Sequence, residues 1–245
     1  MRMVNKGMLL ALLAVAQTVA VAGTFSVSPV RIYMLPRDRA VAITLTNEGE
    51  TPIALQADIH TWAQQPDGTD ELTLTEDMIL SPPIIKLQPK ARQVVRLALL
   101  RPADASRQLT YRLVVREVPE AVLPQGTGIQ VPISLVLSMP VFITPVPARR
   151  DISCQLLPAQ VAGSASAGAL GIDCGNTGSA YAQIREARLQ RGETALATFE
   201  GGVYVLPGAR KTIELKKVQP MDAGAAQLTI AFDDGKSQTF QIVLP

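Results

Sequence analysis

GIQVPISLVLSMPVFI, residues 128 to 143, is the stretch from which the fold can be read. Its odd-numbered positions are Ile129, Val131, Ile133, Leu135, Leu137, Met139, Val141 and Ile143, an unbroken apolar row. Successive side chains of an extended chain point to opposite faces, so the row is one face of a strand. At about 3.3 Å per residue it spans about 50 Å, against a usual strand of about five or six residues. The other face carries Pro132 and Pro140, which cannot donate to a ladder and point to an edge strand or a bulge. Proteins normally blunt long apolar edges, so this one needs a reason.

Upstream the same alternation recurs in shorter pieces. AVAITLTN runs into the turn Asn47-Glu48-Gly49-Glu50, followed by TPIALQADIHTWAQ and a second turn at Pro66-Asp67-Gly68. SPPIIKLQP, QVVRLALL and QLTYRLVVREVP follow, and a loop from about 120 to 127 leads into the opening stretch. TPVPARR, residues 144–150, interrupts the pattern as an interdomain linker. Beyond it come ISCQLLP, ALGIDCGN, AYAQIREARLQ, GGVYVLPG, KTIELKKV, AQLTIAFDDG and SQTFQIVLP. Such spacing, without a convincing amphipathic helix, predicts an all-β chain of two antiparallel sandwiches, 23–143 and a smaller one over 151–245.

Residues 1–22 combine Arg2 and Lys6, the apolar run Met8 to Val19, and Ala20-Val21-Ala22. This is the pattern of a secretory signal peptide, with an apolar core too short for a comfortable membrane span. Its removal lowers the formal charge from +2 to 0, which gives no electrostatic case for nucleic acid or anionic lipid. An exported chain with an even pair of cysteines, Cys154 and Cys174, predicts one disulfide stapling the hairpin around VAGSASAGALG.

Chemistry is hard to find. A Ser-His-Asp triad would need His60, which alternates with Asp58 and Trp62 on one strand face. No G-x-S-x-G, H-E-x-x-H or P-loop spacing occurs. Asp233-Asp234 before Gly235, and Glu48 and Glu50, read as turn residues. The expectation is a protein with no enzyme activity, no cofactor and no metal.

Four stretches resemble the periplasmic pilus-assembly chaperones of the chaperone–usher pathway, the PapD-like family. They are SVSPVRIYM, SPPIIKLQPKARQVVRL, YRLVVREVPE and IQVPISLVLSMPVFITP. The resemblance covers the first sandwich well; the second matches through architecture and GNTGSAYAQI. It implies two immunoglobulin-like β-sandwich domains in an L- or boomerang-shaped arrangement with a cleft between them. It also implies a periplasmic chaperone that binds pilus or fimbrial subunits by donor-strand complementation and delivers them to an outer-membrane usher. Chaperone–pilin complementation is an established mode of strand addition. Val131, Ile133 and Leu135 align with the principal donor positions of the family, and Leu137 continues the face.

The resemblance further implies a basic anchor for the subunit's terminal carboxylate, with Arg31 at the family's cleft arginine; a guanidinium offers a carboxylate a bidentate fork. Pro140 stands where the best-known members carry a cleft lysine, and LSMPVFI resembles the divergent branch called archaic. A hairpin centred near Leu123 would turn Arg107 and Arg112 toward the cleft and Arg116 toward the loop tip, with Arg112 the preferred second cation. Self-association of the free chain over its apolar strand is a further expectation. The alternatives are an exported pilin or adhesin, whose donor segment would lie at the mature N-terminus, and an exported β-sandwich enzyme.

Overall fold

A computed structural model describes residues 25–104, 106–119, 134–157 and 169–245. Among these residues there are seventeen strands and no helix. The first ten are Phe25–Ser28 (β1), Ile32–Met34 (β2), Ala40–Asn47 (β3), Ile53–Gln64 (β4), Asp70–Leu74 (β5), Met78–Ser81 (β6), Ile84–Leu87 (β7), Arg92–Leu99 (β8), Leu109–Val118 (β9) and Val136–Ile143 (β10). The remainder are Ile152–Leu156 (β11), Ala169–Asn176 (β12), Ala182–Arg191 (β13), Thr194–Val205 (β14), Arg210–Lys217 (β15), Gly224–Phe232 (β16) and Ser237–Leu244 (β17).

The first sandwich packs a sheet of order β1-β3-β8-β6 against one of order β2-β10-β9-β4-β5, with β7 also paired to β4. Alternation fixes what lies between them. Ile53, Leu55, Ala57 and Ile59 of β4, Tyr111, Leu113 and Val115 of β9, and Met139, Val141 and Ile143 of β10 all enter one core. In the second sandwich one long ladder, β11-β12-β15-β14-β13-β16-β17, folds over its own core. β14 meets β15 only at Ala197–Lys217 and Thr198–Lys216, so the sheet turns a corner there and β17 returns to β11 through the Gln238 amide.

Each sandwich ends a strand with the same device. Asn47, fully buried, donates to the carbonyls of Thr51 and Gln88 at 2.8 and 3.0 Å and accepts from the Gly49 amide. Asn176 donates to Ala180 and Val205 carbonyls at 2.8 and 3.0 Å and accepts from Asp151 and Gly178 amides. A side-chain amide thus satisfies backbone groups that the turn would otherwise bury unpaired. Gly178 is required here: a Cβ would lie 2.3 Å from the Arg149 carbonyl oxygen.

Two strands, and the first half of a third, are not evident in the sequence. In β5, DELTL, every residue is exposed, so no buried face imposes an alternation. β6 has only four residues. β14 runs unbroken through Gly201-Gly202, and the Phe199 ring lies over Gly201, where a Cβ would meet Cζ at 2.7 Å. GGVYVLPG is therefore the end of a longer strand. The opening stretch is a strand from Val136; Val131 and Ile133 lie outside the described residues.

Cys154 and Cys174 are bonded and face each other directly across β11 and β12, Cα atoms 4.1 Å apart. The bond closes a chain separation of 20 residues. Replacing both cysteines with alanine should lower the unfolding free energy by about 3 kcal/mol through the lost loop constraint. Urea titration followed by far-ultraviolet circular dichroism measures this, and an unchanged midpoint would show that the bond adds nothing.

Candidate functional site

The register of β9 and β10 decides what β10 presents. Val136 pairs with Arg116 and Pro140 with Arg112, so the hairpin is centred on position 126, midway between Arg116 and Val136, and not near Leu123. The Glu117 amide donates to the Leu135 carbonyl at 3.0 Å, which makes the odd positions the ones bonded to β9. Val136, Ser138 and Pro140 consequently direct their backbone groups away from β9. On that side β2 pairs only with Val141 to Ile143, in parallel, and the Thr144 amide reaches Met34. Among the described residues, β10 therefore has a free edge from Val136 to Pro140 that stops where β2 begins. Pro140, lacking an N–H, points its missing donor at this edge.

Burial grades along the same strand. Met139, Val141 and Ile143 are fully inside, whereas Leu135 and Leu137 are only partly buried against the core. The face that fills this sandwich at one end is thus half-open at the other.

Where the free edge stops, the two sandwiches meet. Trp62, Phe142 and Leu206 form a buried cluster distinct from both cores, with Tyr181 and Tyr204 packed on it. The Phe142 ring stacks on Tyr181 at 4.1 Å and 14°. The Gln64 side chain clasps β14 as a strand would, donating to the Tyr204 carbonyl at 2.9 Å and accepting from the Leu206 amide at 3.0 Å. Gln108 accepts from the Tyr181 amide at 2.9 Å. The Pro66-Asp67-Gly68 turn docks too: Lys211 donates to the Gly68 carbonyl and lies 3.7 Å from Asp70. Gly68, at φ 83°, sits so close to Lys211 that a Cβ would meet its side chain at 3.0 Å.

Arg31 and Arg112 come together at this junction. Their guanidinium carbons lie 6.0 and 5.7 Å from the centroid of one ring, Tyr204. Arg112 also lies 3.7 Å over the Trp62 ring. Burial holds its guanidinium below the ordinary arginine value, partly offset by the attraction of Asp70 and Tyr204. Among the described residues Arg112 has no carboxylate within ion-pair distance, and its cation lies against two aromatic faces. Arg31 is engaged. Nη1 pairs with Asp233 at 2.6 Å and reaches the Tyr33 hydroxyl at 3.3 Å, and Nη2 donates to Gln183 at 2.8 Å.

Among the described residues, the other two candidate arginines do not lie over the Tyr204 ring. Arg107 donates to the Pro207 carbonyl and lines a cavity of about 400 Å³ with Trp62 and Thr110. Arg31 lines a separate cavity of about 580 Å³ with Tyr181 and Asp233. Arg116, farther up the edge, pairs with Asp58 at 3.0 Å. His60 stands directly across β4 and β9 from Arg112, and its buried Nδ1 has no hydrogen-bond partner among the described residues. Asp233 and Asp234 do precede the turn glycine Gly235, but they also bind Arg31 and Arg150. No local pattern signals that role, because the partners lie 202 and 84 residues away.

Comparison with known proteins agrees with this architecture. None of the curated proteins matches the chain in sequence. Among solved structures, a chain of the CsuC–CsuE chaperone–tip adhesion subunit pre-assembly complex, from archaic chaperone–usher Csu pili of Acinetobacter baumannii, is similar at 18% identity and TM-score 0.65. The match covers 90% of this chain and 98% of that one. The YadV chaperone is similar at 13% identity and TM-score 0.62, covering 91% and 100%. The complex of Salmonella enterica SafA pilin with the SafB chaperone contains a chain similar at 16% identity and TM-score 0.55, covering 90% and 96%. The model of the pili and flagellar-assembly chaperones, PapD N-terminal domain, matches residues 24–148, which take in the free edge, both cleft arginines and the first core. On that match the chain belongs to the pilus and flagellar-assembly chaperone family.

Proposed function

We propose that this chain is a non-enzymatic periplasmic chaperone that caps pilus subunits through the β10 edge and hands them to an outer-membrane usher. The observation that carries the reading is where the free edge ends. A strand added beside Val136 to Pro140 runs into the start of β2, and Arg31 is the residue just before β2. A partner strand lying parallel to β10 brings its C-terminus to Arg31 and Arg112; an antiparallel one would bring an amine to two cations. The charge favours the parallel arrangement and a terminal carboxylate. The side chains of Leu135 and Leu137, with Val131 and Ile133 before them, would then fill successive pockets of the partner.

The names of similar structures support the partner class, since CsuE is a tip adhesion subunit and SafA a pilin in those complexes. The usher and the compartment follow from the family's pathway and from the leader-like residues 1–22. Arg112 is the test. Arg112→Met keeps an apolar stem over Trp62 and removes the charge. A charge-assisted contact is worth about 1.5–3 kcal/mol, so subunit capture should weaken by about one to two powers of ten. Co-purification of the subunit from the periplasm, beside a melting curve of the free variant, measures both effects. Undiminished capture by a folded variant removes Arg112 from the anchor.

A further inference from the structure

The two cleft arginines differ in one respect that the capture reading leaves unused. Arg112 lacks an acidic partner among the described residues, whereas Arg31 already holds a carboxylate. That carboxylate belongs to a closed ring of polar contacts. Asp233 Oδ2 accepts from Arg31 Nη1 at 2.6 Å and from the Tyr181 hydroxyl at 3.1 Å. The Tyr181 and Tyr33 hydroxyls lie 2.8 Å apart, and Tyr33 accepts from Arg31 at 3.3 Å. Gln183 occupies the other terminal nitrogen of the guanidinium. Both N–H groups of Nη1 and one of Nη2 are therefore engaged before any partner arrives, so an end-on grip on a second carboxylate requires one of these contacts to give way.

The ring is placed to open. Asp233 sits in the turn between β16 and β17, where side-chain rotation disturbs no ladder bond of the sheet core. The Arg31 side chain is 30% exposed and that of Asp233 16%, and Tyr33, on the same ring, is 53% exposed. The ring borders the cavity of about 580 Å³, so solvent reaches it from one side. Asp234 does not compete for Arg31, because Arg150 holds it through both carboxylate oxygens at 2.9 and 3.0 Å.

We infer that Asp233 is an internal stand-in for the partner's terminal carboxylate: it neutralises Arg31 in the unloaded chain and is displaced on loading, with Arg112 as the first contact. The inference rests on the anchor reading above and adds regulation to it. The stand-in has two consequences. It keeps one of two neighbouring cations from standing uncompensated in the empty cleft, and it makes capture an exchange of like groups. Exchange weakens capture relative to an open Arg31 and eases release, which suits a protein that must give its cargo up.

The test uses the full mature chain and an N-acetylated alternating valine–threonine hexapeptide, prepared with a free terminal carboxylate and as the amide. For wild type, the anchor reading expects the carboxylate form to bind more tightly. Asp233→Asn keeps the size of the side chain and an acceptor for Tyr181. It should tighten the carboxylate peptide by about fivefold or more and leave the amide unchanged, because the competing charge is gone. In wild type labelled with carbon-13, saturating carboxylate peptide should also shift the Asp233 carboxyl resonance, a readout that does not depend on how the variant folds. If wild type prefers the carboxylate but Asp233→Asn binds it no better, or the resonance stays put, the stand-in is wrong and the anchor stands. If wild type does not distinguish the two peptides, the anchor fails and the stand-in with it.

Discussion

Replacing Ile133 and Leu135 together with asparagine should abolish subunit capture while leaving the free chain folded. Leu135 lies on the half-open end of the β10 face, partly buried against the first core, and Ile133 precedes it outside the described residues. Each aliphatic side chain buried in a partner groove contributes about 1.5–3 kcal/mol, so losing two removes about two to four powers of ten in affinity. The cost to the free chain is smaller, because Leu135 is incompletely covered there. Val141→Asn supplies the contrast. Val141 is fully buried, and an amide without partners in that core should unfold the first sandwich. Circular dichroism of each variant, beside protection of a co-expressed subunit from proteolysis, separates the two classes. Undiminished protection by the folded double variant would sink the donor role of this face.

What made this much readable was periodicity under a one-sided burial constraint. β3, β4, β8 and β9 announce themselves because each alternates against a single core, and a one-residue slip would turn every apolar side chain to water. β5 is illegible for the converse reason: with all five residues exposed, nothing selects a face. The arginines show the same divide. Arg31 is legible in a local motif, and the position of Arg112 toward the junction follows from hairpin geometry even with the centre at position 126 and not near Leu123. Their surroundings are not legible there. Gln183, Tyr204 and Asp233 come from β13, β14 and the last turn of the other sandwich, brought in by docking. Docking leaves no periodic trace, since each contributor is a single residue in a strand whose pattern is set by a different core. Asp233 is the sharpest case, because a turn before Gly235 already accounts for an aspartate there.

Docking itself can be tested at Phe142. Its side chain is fully buried, yet it belongs to neither sandwich core. It lies on the outer face of β10, stacked on Tyr181 at 4.1 Å and within 6.1 Å of the centroids of Trp62 and Tyr204. Removing a buried phenylalanine ring costs about 3–5 kcal/mol, and here the loss falls on the junction and not on either sandwich. Phe142→Ala should leave both sandwiches folded while freeing them to move against each other. Gln64, Gln108 and the Arg31–Asp233 pair remain, but hydrogen bonds of about 0.5–1.5 kcal/mol net each do not replace a packed aromatic centre. Residual dipolar couplings should then require two alignment tensors where the wild type needs one. Capture should fall as well, even though Phe142 makes no contact with the partner strand in the proposed arrangement, because Arg31 and Arg112 are set about Tyr204 only while the junction is closed. Phe142→Leu, which keeps most of the buried volume, should recover part of both effects. A Phe142→Ala chain that keeps a single tensor and full capture would show that the polar clasps hold the cleft without the ring.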